Sequence, residues 1–292
     1  MDVAQIIANG LIAGSIYALV AAGFSLIYNT NRFMHFAHGS IVTVGAYALW
    51  CGFTKFNLPL FLAAIFAVAV ATLAGLATYR VVYRPLVRRG ASSSILLIAG
   101  LALLFFFENS IILSFGSNVK SINYFVTEKG VNLLGAAVTP LQISIVLLSV
   151  LFLILFWVLM RYSKIGITIR AVADHSELAR ISGINTERVQ ELSFILGSAL
   201  AGIAAVFIVL EQNATPFMAT KLVIKGFSGA VIGGITSLPG AILGSYFVGL
   251  MENFGAWFLP SGYKDAIVFG LLIIFLVIRP IGILGVTKGV RE

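Results

Sequence analysis

Three features of this 292-residue chain predict an all-α, polytopic membrane protein. Its residues are 60% hydrophobic and only 10% charged, with a mean hydropathy of +1.04, which is more apolar surface than a soluble domain of this length can enclose. Apolar runs of about 20 residues, the length of a helix that crosses the hydrocarbon core, recur along the chain. Lysine and arginine gather in the short segments between those runs, as topology requires.

Segments 6–28, 58–82, 93–115, 141–160, 189–210 and 266–283 each read as an unbroken span. Segments 33–53 and 222–258 are apolar but interrupted by Gly, Ser, His or Pro, giving about eight spans with broken or re-entrant pieces. The start, Met1-Asp2, has no basic region, so the first run reads as a retained helix rather than a cleaved signal. Cys51 stands alone, which excludes an internal disulfide and a multi-cysteine metal site. The net charge of +8 is explained by basic loops between spans and carries no nucleic-acid reading.

The basic segments 79–90 and 161–190 are separated by two spans and therefore share a face. With Arg32 and the tail (Arg279, Lys288, Arg291), that face holds thirteen of the nineteen lysines and arginines. It is expected to be cytoplasmic, with Arg88 inside, Lys129 outside, the N-terminus outside and the C-terminus inside. Segment 117–140 is the one sizeable outer loop. The alternation of Ile122, Tyr124 and Val126, followed by 131–134, suits a small hairpin.

The two halves share a plan. In 1–160 an unbroken span leads into Phe33-Met-His-Phe-Ala-His-Gly-Ser40; in 189–292 a span leads into Gly226-Phe-Ser-Gly229 and the turn Ser237-Leu-Pro-Gly240. The leading spans run in opposite directions, which is the signature of an inverted repeat with a solute path beside its broken segments. A helix broken within the membrane frees amides and carbonyls that must bond solute, water or protein. The candidate path residues are His35, Phe36, His38, Gly39, Ser40, Gly226, Ser228, Gly229, Gly233 and Gly234. The alternative for the glycines is close helix packing, as the spacings of Gly10 with Gly14, Gly229 with Gly233 and Gly240 with Gly244 permit. His35 and His38 lack the companion carboxylates or cysteines of a metal site and read as hydrogen-bonding groups. Glu108 and Glu252 lie inside apolar runs, where an ionisable group is expensive and suggests a place on the path.

Segment 161–188 is too polar to cross. Asp174 followed by Glu177 resembles a capping box, a short helix can run over 175–182, and Gly183 stops it. Leu178, Ile181 and Ser182 share a face with Arg180 beside them, and Asn185 or Thr186 can cap the next span. Two turns of helix are not stable alone. The docking surface can be the membrane, the protein's own underside or the groove of a partner.

Ordered motifs then carry a resemblance: Phe36-Ala-His-Gly39, Tyr83-Arg-Pro-Leu86, Arg161-Tyr-Ser, Ile169-Arg-Ala, Gly183-Ile-Asn-Thr186, Ala230-Val-Ile-Gly-Gly-Ile235 with Leu238-Pro-Gly-Ala241, Tyr263-Lys-Asp265 and Pro280-Ile-Gly-Ile-Leu-Gly285. Over nearly its whole length the chain resembles the permease subunits of Liv-type branched-chain amino acid importers, in the ATP-binding-cassette superfamily. The resemblance implies a second, related permease, two cytoplasmic ATPases and an extracytoplasmic solute-binding protein, in a bacterial-type inner membrane. It implies that segment 161–188 holds a coupling helix, with Asp174, Glu177, Leu178, Arg180, Ile181 and Gly183 at the contact. It implies no cofactor and no catalytic residue, and the chain has no Gly-x-x-x-x-Gly-Lys-Ser/Thr phosphate loop. Solutes of such importers include aliphatic amino acids, amides, urea and small carboxylates. A passive channel is the competing reading, since half-helices suit it equally. An intramembrane enzyme would need a convergent catalytic set that these residues do not supply.

Overall fold

The computed structural model describes residues 3–122, 130–133 and 135–285. Five helices in it are long and apolar enough to cross a membrane. They are α1 (Val3–Asn31), the run Leu60–Arg88 formed by α3 (Leu60–Thr78), a π-helical turn (Tyr79–Tyr83) and α4 (Arg84–Arg88), then α5 (Ser93–Phe115), α6 (Pro140–Tyr162) and α9 (Thr186–Gln212). A helix that is apolar all round belongs in a core or in lipid, and burial separates the two cases. Within their most apolar stretches α1 is 89% buried and α9 72%, against 22–28% for the other three. The first two are the core; the others turn broad faces outward.

Shorter helices complete the bundle. Between α1 and α3 lies α2 (His38–Trp50), extended by a π-helical turn (Cys51–Lys55). α10 (Met218–Gly233) and α11 (Leu238–Phe258) meet at a 120° bend. α12 (Lys264–Ile278) follows. At 1.5 Å per residue its fifteen residues reach about 22 Å, short of the ~30 Å hydrocarbon core. The expected span 266–283 is therefore cut at Ile278. Pro280 cannot continue the amide ladder, and the chain folds back so that Ile283 and Leu284 amides bond the Ile232 and Gly233 carbonyls, each at 2.9 Å.

α1 packs on α11 and α9, α3 packs on α9, and α2 crosses α3, α9 and α10. Small residues set these approaches. A Cβ added at Gly10 would lie 2.9 Å from the Leu250 Cα, and one at Gly14 2.9 Å from the Tyr246 Cα. One at Gly249 would lie 2.6 Å from the Gly10 carbonyl.

The second break is displaced from its expected place. α10 runs unbroken through Gly226 and Gly229, and the chain turns only at residues 234–237. Gly234 adopts φ +109°, which a side chain would disfavour, and Ser237 caps α11 by accepting from the Gly240 amide. The expected hairpin is likewise shifted. Val131–Leu133 pairs antiparallel with Ala136–Val138, whereas Tyr124, Val126 and Lys129 lie outside the described residues, as do Lys288 and Arg291.

The central segment is more helical than expected. α7 (Lys164–Asp174) precedes α8 (Ser176–Ile181), and Asp174 is the last residue of α7 rather than a cap. The residue that caps α8 is His175, whose Nδ1 accepts from the Leu178 amide at 3.3 Å. Gly183, at φ +85°, ends the turn, and Asn185 caps α9.

Candidate translocation site and coupling helix

The first break, between Asn31 and His38, is filled by aromatic side chains. His35 is buried, with its Nδ1 2.8 Å from the Tyr83 hydroxyl. Phe33, Tyr79 and Phe194 complete its surroundings. His38 is also buried and stands over Gly23, but neither of its ring nitrogens has a hydrogen-bond partner, against the hydrogen-bonding role expected of it. Among the described residues no group of three or more His, Cys, Asp and Glu forms a metal cage. Phe36 meets Phe227 of α10 at 5.4 Å between ring centroids, and Phe24 of α1 lies 5.6 Å from Phe227. The two interrupted segments thus touch through Phe36 and Phe227.

The candidate glycines sit at crossings. A Cβ on Gly39 would meet Val223 at 2.9 Å and the Ala219 carbonyl closer still. One on Gly226 would meet Val20 at 2.6 Å, and one on Gly229 the Ser245 Cα at 2.8 Å. Gly233 abuts Gly240, and Gly234 approaches Gly285. Ser40 donates to the Leu104 carbonyl at 3.3 Å, whereas the Ser228 hydroxyl is buried with no hydrogen-bond partner. None of these groups lines either of two cavities at opposite ends of the bundle.

The first cavity, of about 550 Å³, lies at the lysine-bearing end, between α1, α9, α10, α11 and the start of α12. Glu252 forms its floor at 3% side-chain exposure, with Lys225 at 12%. Lys225 Nζ is 2.8 Å from Glu252 Oε1 and 3.2 Å from Asp265 Oδ1. Tyr17 donates to Glu252 Oε2 at 3.0 Å. Buried charges must be paired, and this group meets that demand. Glu108 is placed elsewhere: it is buried in α5, Oε2 has no hydrogen-bond partner, and it reaches neither cavity.

Lys225 is a site residue that the sequence reading did not single out. The detectable signal was an ammonium one helix repeat before Gly229 within an apolar run.

The second cavity, of about 750 Å³, lies at the arginine-bearing end. Ser25 and Asn29 of α1 and Arg32 just beyond its end face it, with Arg161, Arg170 and the turn Thr236-Ser237. Ser25 Oγ donates to the Ile235 carbonyl at 2.8 Å and Asn29 Nδ2 to the same atom at 3.2 Å, tying the second break to α1. Arg32 donates to the Ala173 carbonyl of α7. At 3.6 residues per turn, Asn9, Ala13 and Tyr17 point to the opposite side of α1 from Ser25, Leu26 and Asn29. The two cavities are thus on different faces of one buried helix.

At this arginine-bearing end both basic segments meet. Glu187, at the start of α9, accepts from Arg84 Nη2 at 2.9 Å and Arg88 Nη2 at 2.8 Å. Arg80 pairs with Glu191. On α8 only Ala179 is buried, while Leu178 and Ile181 are 58% and 81% exposed. Glu177 and Arg180 are also exposed. Short as it is, α8 is closed at its C-terminal end by the Ile184 amide, which donates to the Ala179 carbonyl at 3.0 Å from the turn before α9.

An all-α bundle with buried spans, a bent helical pair and polar cavities at both ends defines a polytopic membrane protein of the transporter class. The chain belongs to the family of permease components of branched-chain amino acid transport systems, whose pattern it matches over residues 6–277. It is 35% identical to the high-affinity branched-chain amino acid transport system permease protein BraD of Pseudomonas aeruginosa, over 96% of this chain and 95% of that one. It is 32% identical to the corresponding permease protein LivH of Escherichia coli, over 95% and 94%. Among solved structures it resembles PsaBC from Streptococcus pneumoniae in complex with Fab, with a TM-score of 0.53 at 15% identity, covering 93% and 91% of the two chains. That likeness concerns the fold.

Proposed function

We propose that this permease moves branched-chain or related small amino acids inward through an inner membrane. It works with a second permease, two cytoplasmic ATPases and a solute-binding protein. The Arg-rich end faces the cytoplasm, which puts the N-terminus outside and the C-terminus inside. Halves 1–160 and 189–292 form an inverted repeat around segment 161–188. Exchanging α1, α2 and α3 for α9, α10 and α11 turns each major packing pair into another: α1 on α11 becomes α9 on α3, and α2 on α3 becomes α10 on α11.

The observation that carries the importer over a passive pore is the separation of the cavities by α1. A pore needs one continuous path, whereas alternating access needs two vestibules that are not open to each other. We place the seal at Phe24, Phe36 and Phe227, where the broken segments meet. The candidates His35, His38, Gly39, Ser40, Gly226, Ser228, Gly229, Gly233 and Gly234 then serve as the hinge and packing surfaces that let this seal part. Glu252 belongs to the outer vestibule. Leu178 and Ile181 form the knob that enters the ATPase, bounded by Asp174, Glu177, Arg180 and Gly183.

The test is uptake of radiolabelled leucine into vesicles containing the whole transporter. Uptake that requires ATP and the solute-binding protein supports the reading. Equilibration without ATP would return the chain to the channel class.

A further inference from the structure

We propose that the outer cavity is a receptor for the zwitterionic head of an α-amino acid, with Glu211 receiving the ammonium and Lys221 and Lys264 the carboxylate. The importer reading supplies the solute class on which this rests. The floor of the cavity is internally satisfied, since Lys225, Glu252, Asp265 and Tyr17 bond one another. What remains on its walls is charge of both signs without an ionic partner. Glu211 accepts from Gln142 Nε2 at 2.9 Å and has no cation within ion-pair distance among the described residues. Lys264 donates only to the amide oxygen of Asn253, at 3.2 Å, and neither it nor Lys221 pairs with a carboxylate among the described residues.

A solute of one charge would leave half of that wall opposed to it. A zwitterion satisfies both signs at once, and specificity of this kind comes from complementary charge placement. The volume of about 550 Å³ lies within the range of about 300–1,000 Å³ for small-molecule sites. The apolar part of the wall is small, Ile12 and Ala13. This cavity therefore reads the groups that all α-amino acids share and leaves the aliphatic side chain little to touch. Lys264 and Asp265 also give the Tyr263-Lys-Asp265 motif a place: its lysine lies on the wall and its aspartate on the floor.

The test uses Ala13→Cys in the intact transporter, in a Cys51→Ser background, labelled with a small aqueous thiol reagent. Leucine is expected to slow labelling roughly tenfold when present at about ten times its half-protecting concentration, as one-site mass action requires. 4-Methylpentanoate lacks the ammonium and leucinamide lacks the carboxylate; neither should protect at that concentration. Glu211→Gln should remove protection by leucine. Asn9→Cys, on the same wall, serves as the reporter if Ala13→Cys does not fold. The proposal is overturned if both cysteines are inert, if leucine fails to protect, if the three compounds protect alike, or if Glu211→Gln leaves protection intact. ATP-dependent leucine uptake by the same Cys51→Ser background separates the outcomes: preserved uptake without protection sinks the receptor alone, and absent uptake sinks the importer reading.

Discussion

Arg88 and Glu187 form a two-point pair, Nε to Oε1 at 3.0 Å and Nη2 to Oε2 at 2.8 Å, which fastens the end of the third helical run to the start of α9. Exposed pairs contribute only about 0.2–1 kcal/mol each, so the fold does not depend on this one. Its value is geometric, because α9 begins directly after α8. Glu187→Gln is expected to leave the melting midpoint in detergent within a few degrees of the parent while lowering uptake per ATP hydrolysed several-fold. Arg88→Lys keeps the charge but loses the planar fork and should fall between the two. An unchanged ratio of uptake to hydrolysis in reconstituted vesicles would falsify the role.

Replacing Leu178 and Ile181 together with Ser tests the coupling helix. Both side chains are exposed and lie outside the spans, so monodispersity and melting should not change. Each loses up to about 1.5–3 kcal/mol of burial if it seats fully in a partner. Retention of the ATPase on the purified permease and ATP-driven uptake should both fall below a tenth of the parent. Normal retention would assign α8 to the membrane surface instead.

Gly249→Leu should do the opposite, damaging the fold rather than the coupling. The approach of α11 to α1 leaves no room for a side chain there, and overpacking costs about 1–3 kcal/mol or more. A marked drop in melting temperature and in yield from membranes is expected. Retained stability would mean that the two helices can separate without loss.

Topology can be read with reporter fusions after Arg88 and after Lys120. Activity of a cytoplasmic reporter at the first and of an extracytoplasmic reporter at the second is expected. The reverse pattern inverts the assignment of both vestibules.

Five of the six unbroken spans were legible because apolar length is a local property: α5 ends where the sequence places it, at Ser93 and Phe115. The stop at Gly183 was legible too, since a helix that needs φ > 0 at its end selects glycine. The break in 222–258 was legible only in part: the expected turn Ser237–Gly240 adjoins the observed one at residues 234–237, whereas the expected interruption at Gly226 and Gly229 is helix. Gly226 and Gly229 look like helix breakers in isolation, yet Val20 and Ser245 close on them and make them contact surfaces. α7 escaped notice because its polar face resembles loop composition, although Ile169 and Val172 are buried one turn apart. The lysine-lined cavity was hidden for a different reason. Tyr17, Glu211, Lys225 and Lys264 are spread over nearly the whole chain, and only the packing of α1 with α9 and α10, and of α12 on α10 and α11, brings them together.

The return of residues 281–285 onto α10 also bears on biosynthesis. The Ile283 and Leu284 amides close the Ile232 and Gly233 carbonyls at the bend, yet they are translated after every helix they fasten. Until the ribosome has passed them, the α10–α11 hairpin holds its angle without this clip, through the Gly229, Gly233 and Gly244 contacts and the Ser25 and Asn29 bonds to the Ile235 carbonyl. The last step in setting the arginine-lined cavity is therefore late, and a nascent chain stalled before Ile283 would carry that bend without its clip.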